Sequence, residues 1–305
     1  MRVSLWIQNT LPWNEIVDLA KLADGNPDSW YTVWFADHYM PNTESGEPVD
    51  GDVHEAWSVL AGLAAVTDRV RLGPLVSPTS VHHPALLANR AATIDHMSNG
   101  RFILGLGAGW QVNEHRAYGI DLEPPKIRVD RFAEAIEVIR SLLDNDRTNF
   151  DGTHYQFTDA PCNPHPVHDR LPLLVGTSGR RMMRLTAQWA DEWNTWGGPS
   201  LAAGNRQRFV EACEGVDVDP ASKRTSVQAL VFLDDDPAVL AKRTAKVDPE
   251  RAVMGDAGQL VEQINGFADA GFDEFIVLTA TMGRDAAERR DGLERFATEV
   301  IPNLH

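Results

Sequence analysis

The sequence predicts an α/β fold, a (β/α)8 barrel of the TIM type with long loops at its C-terminal rim, and three observations carry that expectation. Short apolar runs rich in β-branched and aromatic residues alternate with longer runs of helical period along all 305 residues. Eight such apolar runs occur, more than a doubly wound open sheet usually holds. No linker-like stretch or shift in composition interrupts them, so residues 1–305 are expected to form a single domain.

In chain order the expected strands are Val3 to Ile7, Tyr31 to Ala36, Val70 to Leu75, Phe102 to Leu106, Leu173 to Gly176, Glu192 to Trp196, Val227 to Leu233 and Glu274 to Leu278. Between the third and fourth, Pro84 opens a helix, a position where its missing N–H costs nothing. Between the fourth and fifth, Phe132, Ala135, Ile136, Ile139, Leu142 and Leu143 fall on one face of a helix over about residues 130–143. Two connections exceed what a bare barrel needs, Tyr39 to His54 and Asp144 to Pro172, and long loops often carry function.

Composition narrows the function classes. With 28 basic against 44 acidic residues the net charge is −16, which disfavours binding to a nucleic-acid backbone or an anionic membrane, both of which need a positive field. The two cysteines, Cys162 and Cys213, fit neither a disulfide framework nor a paired-ligand zinc site. The apolar run after Arg2 is too short for a signal peptide or a membrane span, so a cytoplasmic protein is expected.

Four clusters at expected C-terminal strand ends could carry chemistry. Asp37-His38 follows the second strand, where His38 can exchange a proton with a ligand and Asp37 can orient it or bind a cofactor. Gly73 to Thr79, with Leu75, Val76 and Ser77, is a rigid segment between two prolines, followed by His82-His83, which are expected to cap or pack against the next helix. Gly105-Leu-Gly-Ala-Gly-Trp110 lacks the spacing of a dinucleotide fingerprint; it suits close approach of backbone to a planar ligand, with Trp110 and Asn113 at hand for stacking and hydrogen bonding. Gly176-Thr177-Ser178-Gly179, running into Arg180, joins a strand to a helix start, a geometry that binds anions through first-turn N–H groups. None of the five lysines falls at an expected strand end, which disfavours Schiff-base chemistry. A metal-dependent hydrolase built from Asp37, His38, His82 and His83 stays open on the residues alone.

Taken together, Trp34 to Pro41, Arg101 to Trp110, Asn113 to Gly119, Phe150 to Phe157, Leu173 to Gly179 and Ala190 to Asn194 make the chain resemble the bacterial luciferase-like family of flavin and deazaflavin oxidoreductases, in its F420-dependent branch. The resemblance implies a barrel, usually homodimeric, that holds coenzyme F420 or FMN at the rim and turns over a small-molecule substrate. Asp37 would bind the ring system and His38 would lie near the hydride-bearing carbon. Leu75-Val76 would occupy the place of a non-prolyl cis peptide, Gly176 to Gly179 would hold the tail phosphate, and Asn113 would contact the ring. Trp110 stands where F420-dependent sugar-phosphate dehydrogenases carry a proton-donating glutamate, and Trp196 stands near their substrate-phosphate site, so a different, apolar or aromatic substrate is expected. An FMN-dependent monooxygenase and a non-catalytic flavin- or deazaflavin-binding protein are the alternatives.

Overall fold

A computed structural model describes residues 1–305. The strands are β1 (Arg2–Ile7), β2 (Thr32–Phe35), β3 (Arg71–Pro74), β4 (Ser77–Pro78), β5 (Leu104–Gly107), β6 (Thr148–Asp151), β7 (Gln156–Ala160), β8 (Leu173–Gly176), β9 (Glu192–Trp196), β10 (Arg224–Leu233), β11 (Ala252–Gly255) and β12 (Glu274–Leu278). Their order in the main sheet is β3-β2-β1-β12-β10-β9-β8-β5-β4, and the pairs along it are parallel. β3 and β4 are two halves of one barrel stave, separated by a cis peptide between Leu75 and Val76. β3 hydrogen-bonds β2, and β4 hydrogen-bonds β5. The seam closes where the Ile103 N–H donates to Leu72 O at 2.8 Å and the Leu72 N–H to Arg101 O at 3.1 Å. The expected barrel is therefore the observed one, and each of its eight staves contains an expected strand.

Four strands were not expected. β6 and β7 form an antiparallel hairpin inside the connection read as a long loop. β11 pairs with Leu230–Leu233, the part of β10 that runs past the barrel wall, and so lies outside the closed ring. β4 is a two-residue continuation too short to leave a periodic trace.

The helices are α1 (Trp13–Asp24), α2 (Ala56–Val66), α3 (Pro84–Met97), α4 (Val112–Tyr118), α5 (Pro125–Asp144), α6 (Arg180–Trp189), α7 (Pro199–Glu214), α8 (Pro237–Thr244), α9 (Ala257–Asp269) and α10 (Ala286–Glu299). α3 begins at Pro84 as expected, with His83 capping the Ala85 N–H. α5 starts five residues before the expected helix start at about residue 130, because Pro125 supplies a preorganised first turn. Most apolar burial lies between strands and helices, in a cluster of 62 buried residues, against five inside the barrel: Trp34, Leu75, Ile103, Leu174 and Ile276. No helix is long and apolar enough to cross a membrane.

The N-terminal end of the barrel is closed by charge. Glu192 and Glu274, at the starts of β9 and β12, are buried. Arg71 Nη2 donates to Glu192 at 2.9 Å, and Trp34 Nε1 donates to Glu274 at 3.0 Å. The guanidinium groups of Arg2, Arg71 and Arg224 lie 4.4, 5.4 and 5.0 Å from the centre of the Tyr31 ring. Burial and the neighbouring Glu192 push the Glu274 carboxyl up from its ordinary pKa. Burial also pushes the Tyr31 phenol up, but Arg71 and Arg224 outweigh it and leave the group below its usual value.

Candidate active site

At the opposite, C-terminal end the strands open into a cavity of about 1030 Å³, lined by residues that follow β1, β2, β3, β5, β8, β9 and β10. This is the end of a barrel where loops from many strands converge. His38, three residues past β2, projects into it. Its Nδ1 lies 3.0 Å from Glu114 Oε1, and Glu114 Oε2 accepts the Tyr39 N–H at 2.9 Å. Glu114 is nearly inaccessible and sits in the first turn of α4, so this carboxylate is spent on the imidazole and the adjoining backbone. Donating the Nδ1 proton to Glu114 leaves Nε2 without a protein partner. Trp110, more than half exposed, meets the His38 ring edge to face at 5.6 Å.

The floor is built around Val76. A Cβ at Gly107 would stand 2.8 Å from Val76 Cγ2, and one at Gly176 would stand 3.1 Å from Val76 Cγ1. Glycine at these positions therefore makes room for the Val76 side chain between β5 and β8, rather than for a ligand alone. Leu75, Val76, Trp110, Gly176, Thr177, Ser178 and Trp196 all line the cavity, as the sequence reading expects of its site residues.

Other expected site residues lie elsewhere. Asp37 is buried behind the wall and outside the cavity lining, where one carboxylate oxygen accepts from Trp57 Nε1 at 3.1 Å and Ser77 Oγ at 2.5 Å and meets His82 Nε2 at 2.9 Å. Burial pushes this carboxyl up, but its hydrogen bonds with His82, Ser77 and Trp57 outweigh that and hold it below the usual carboxylate range. The chain turns inward after β2, so Asp37 anchors the loop while His38 faces the ligand space. Ser77 belongs to the same buried network. Asn113 is also buried, and its Nδ2 donates to Pro41 O at 2.8 Å, tying α4 to the loop after β2.

Gly179 and Arg180 are outside the lining as well. The Gly179 N–H is already accepted by Thr177 Oγ1 at 3.1 Å, and Arg180 is exposed. Arg181 is paired with Asp130 at 2.5 Å. The first-turn N–H groups of α6 remain without helical partners, because every helix leaves its first donors free.

Across the barrel from His38, four staves away, stands Trp196 at the end of β9. It meets Trp6 edge to face at 5.8 Å, and the Arg251 guanidinium lies 4.8 Å from its ring centre. Its neighbour in register on β10 is Gln228. The sequence reading missed Glu114, Trp6, Gln228 and Arg251 as site residues. A polar residue among apolar neighbours in Val227 to Leu233 was the available signal for Gln228.

A barrel with this rim is the architecture of many oxidoreductases, and comparison with known proteins specifies the family. The family model described as luciferase-like monooxygenase matches residues 1–248, and the chain belongs to that family. It is similar to the F420-dependent glucose-6-phosphate dehydrogenase of Microbacterium testaceum (strain StLB037), with 28% identity covering 95% of this chain and 93% of the relative. The coenzyme F420-dependent tetrahydromethanopterin reductase of Methanopyrus kandleri superposes with a TM-score of 0.81 at 19% identity over 100% of both chains. Monooxygenase RslO1 from Streptomyces bottropensis superposes with a TM-score of 0.82 at 19% identity over 99% of both.

Proposed function

We propose that this protein is an oxidoreductase that uses coenzyme F420 to move a hydride to or from a small organic substrate. The observation that carries this reading is the His38–Glu114 pair, which presents an unpartnered imidazole nitrogen to a cavity large enough for a tricyclic cofactor and a substrate together. The residues fit a deazaflavin. Thr177 and Ser178 adjoin the free first-turn N–H groups of α6 and suit a tail phosphate, while Val76 and the backbone of Gly107 to Gly109 offer a flat seat for a ring. When bound, the deazaflavin supplies the carbon that accepts or releases hydride.

The protein's share is positional. Glu114 fixes the His38 ring, and Nε2 is placed to hold the proton that leaves or joins the substrate oxygen as hydride moves. Trp110 covers that edge of the cavity and limits water. Asp37, Ser77 and Asn113 act as positioning residues through the loop that carries His38. FMN shares a tricyclic ring and a phosphate, so an FMN-dependent monooxygenase is the second reading, favoured by the monooxygenase among the structural neighbours.

Titration with oxidised F420 and with FMN, followed by tryptophan quenching, decides between them. Tight F420 and weak FMN binding is the expected outcome; the reverse order transfers the proposal to the monooxygenase, and binding of neither removes both.

The whole chain is proposed to act as one barrel unit, as a homodimer in the cytoplasm. Leu86 and Met97 are exposed apolar side chains eleven residues apart on α3, hence on one face of that helix, which offers ground for a second copy. Light scattering at micromolar concentration should return twice the chain mass.

A further inference from the structure

The floor of the cavity contains a carboxamide that is tied at one end and open at the other. Asn194 lies two residues before Trp196 on β9, in register with Gly176 of β8 and Ser226 of β10. It is 2% exposed and lines the cavity. Its Nδ2 donates to Ser226 Oγ at 2.9 Å, with the Ser226 carbonyl oxygen 3.5 Å away. A carbonyl oxygen can only accept, so the amide nitrogen is the end that faces β10 and the amide oxygen turns away from it. Asn194 Oδ1 accepts no hydrogen bond from the protein, and, unlike Asn113 Oδ1 and Gln228 Oε1, it is not sealed off from an incoming atom. A Cβ at Gly176 would stand 3.8 Å from this oxygen and 3.1 Å from Val76 Cγ1, so the open acceptor borders the seat offered to a ring.

We infer that Asn194 Oδ1 accepts the imide N–H of the bound deazaflavin and thereby fixes which edge of the ring points to β9. This rests on the F420 reading for the kind of ligand. One edge of the oxidised ring carries a single N–H between two carbonyl groups, and the opposite edge carries a phenolic oxygen. A free acceptor complements the N–H. A carbonyl oxygen or a phenolate set against Oδ1 would leave two acceptors facing each other in a site shielded from water, which is costly.

The anchor has a consequence for the chemistry. Thr177 and Ser178, which suit the tail phosphate, follow the adjoining stave. A half-turn of the ring about the axis from its tail to its reacting carbon exchanges the two edges and the two faces together. Holding the imide edge at β9 therefore also selects the face that meets the substrate. Asn194 is in this sense a positioning residue for the cofactor.

The test titrates 8-hydroxy-5-deazariboflavin, its N3-methyl derivative and F420 into the parent and Asn194→Leu proteins, followed by tryptophan quenching. The parent should bind the N–H headgroup at least about tenfold more tightly than the N-methyl one, the effect of leaving a shielded acceptor unpaired. Leucine matches asparagine in size, so Asn194→Leu should erase that ratio if a hydrogen bond causes it and keep it if crowding does. Equal binding of the two headgroups by the parent, which would leave Oδ1 to a water molecule, overturns the inference without need of the variant. An unchanged ratio in Asn194→Leu overturns it too, as does F420 binding with neither headgroup bound, and both of these leave the F420 reading standing. Binding of none of the three removes both.

Discussion

The two ends of the barrel solve the same problem in opposite ways. Both bring polar side chains to the edge of a closed ring of strands. At the N-terminal end the buried carboxylates Glu192 and Glu274 each have a donor, and three guanidinium groups gather around Tyr31. At the C-terminal end His38 is held through Nδ1 by Glu114, and its Nε2 has no partner among the protein's own atoms. Satisfied polar groups stabilise a fold by amounts that appear when one is removed. A free nitrogen on a side chain that lines the cavity, as in His38, is available to a ligand. The contrast assigns stability to one rim and chemistry to the other, as in barrels generally.

Substitutions at the two ends should therefore move different observables. The largest effect is expected at the open rim: His38→Ala should lower turnover about 10²- to 10⁴-fold, the range for loss of a general acid or base. F420 affinity should stay within a few-fold of the parent, and turnover near the parent's would abolish the proton-handling role. At the closed rim, Arg71→Met strands the Glu192 carboxylate in the interior and should cost about 3–5 kcal/mol in urea unfolding. If this variant instead kept its stability and lost F420 binding, the division between the two ends would fail.

Asp37 lies between the extremes, being buried like the closed rim yet directly before His38. Asp37→Asn should cost about 1–3 kcal/mol, the range for hydrogen bonds to a buried charge, and also reduce turnover. Because the native carboxyl is held below its ordinary pKa, its stabilising effect is full above the unfolded value and lost as pH falls through the lower folded value. Acid unfolding of the parent should accordingly be steeper than that of Asp37→Asn, whereas curves of equal slope would mean the folded carboxyl is unshifted.

The smallest effect belongs to Glu274. Its raised pKa means that its contribution is full below the unfolded carboxylate value and is lost as pH rises through the folded one. Glu274→Gln keeps an acceptor for Trp34 and should gain stability on the parent at neutral pH but not at pH about 4. A difference independent of pH would count against the shift.

Most staves were readable because they alternate or saturate with β-forming residues over four or more positions, as in Glu274–Leu278, whereas β3 and β5, with Gly and Pro inside them, were legible from the apolar residues around them. The same reasoning passes over β11, four residues with one glycine that pair outside the ring. Hairpin β6–β7 escapes because its strands are largely solvent-exposed and carry no apolar alternation. At the site, sequence placed His38, Val76 and Thr177 on the rim, since all follow legible strands. It could not separate Asp37 from His38, because which of two adjacent side chains faces inward depends on how the chain leaves the strand. Glu114 was similarly hidden: its meaning lies in a contact 76 positions away in the chain.

Val76 carries a consequence for how such a protein can change. Its isopropyl group is clasped by glycines from two separate staves, so a side chain at Gly107 collides with it and one at Gly176 crowds it. The opposing wall is made from Trp6, Trp196, Gln228 and Arg251, none of which is set against a glycine in this way. A library built on this chain should therefore hold the clasp constant and vary that wall. Substrate range could then diversify on a conserved redox platform, much as interchangeable bits are fitted to one handle.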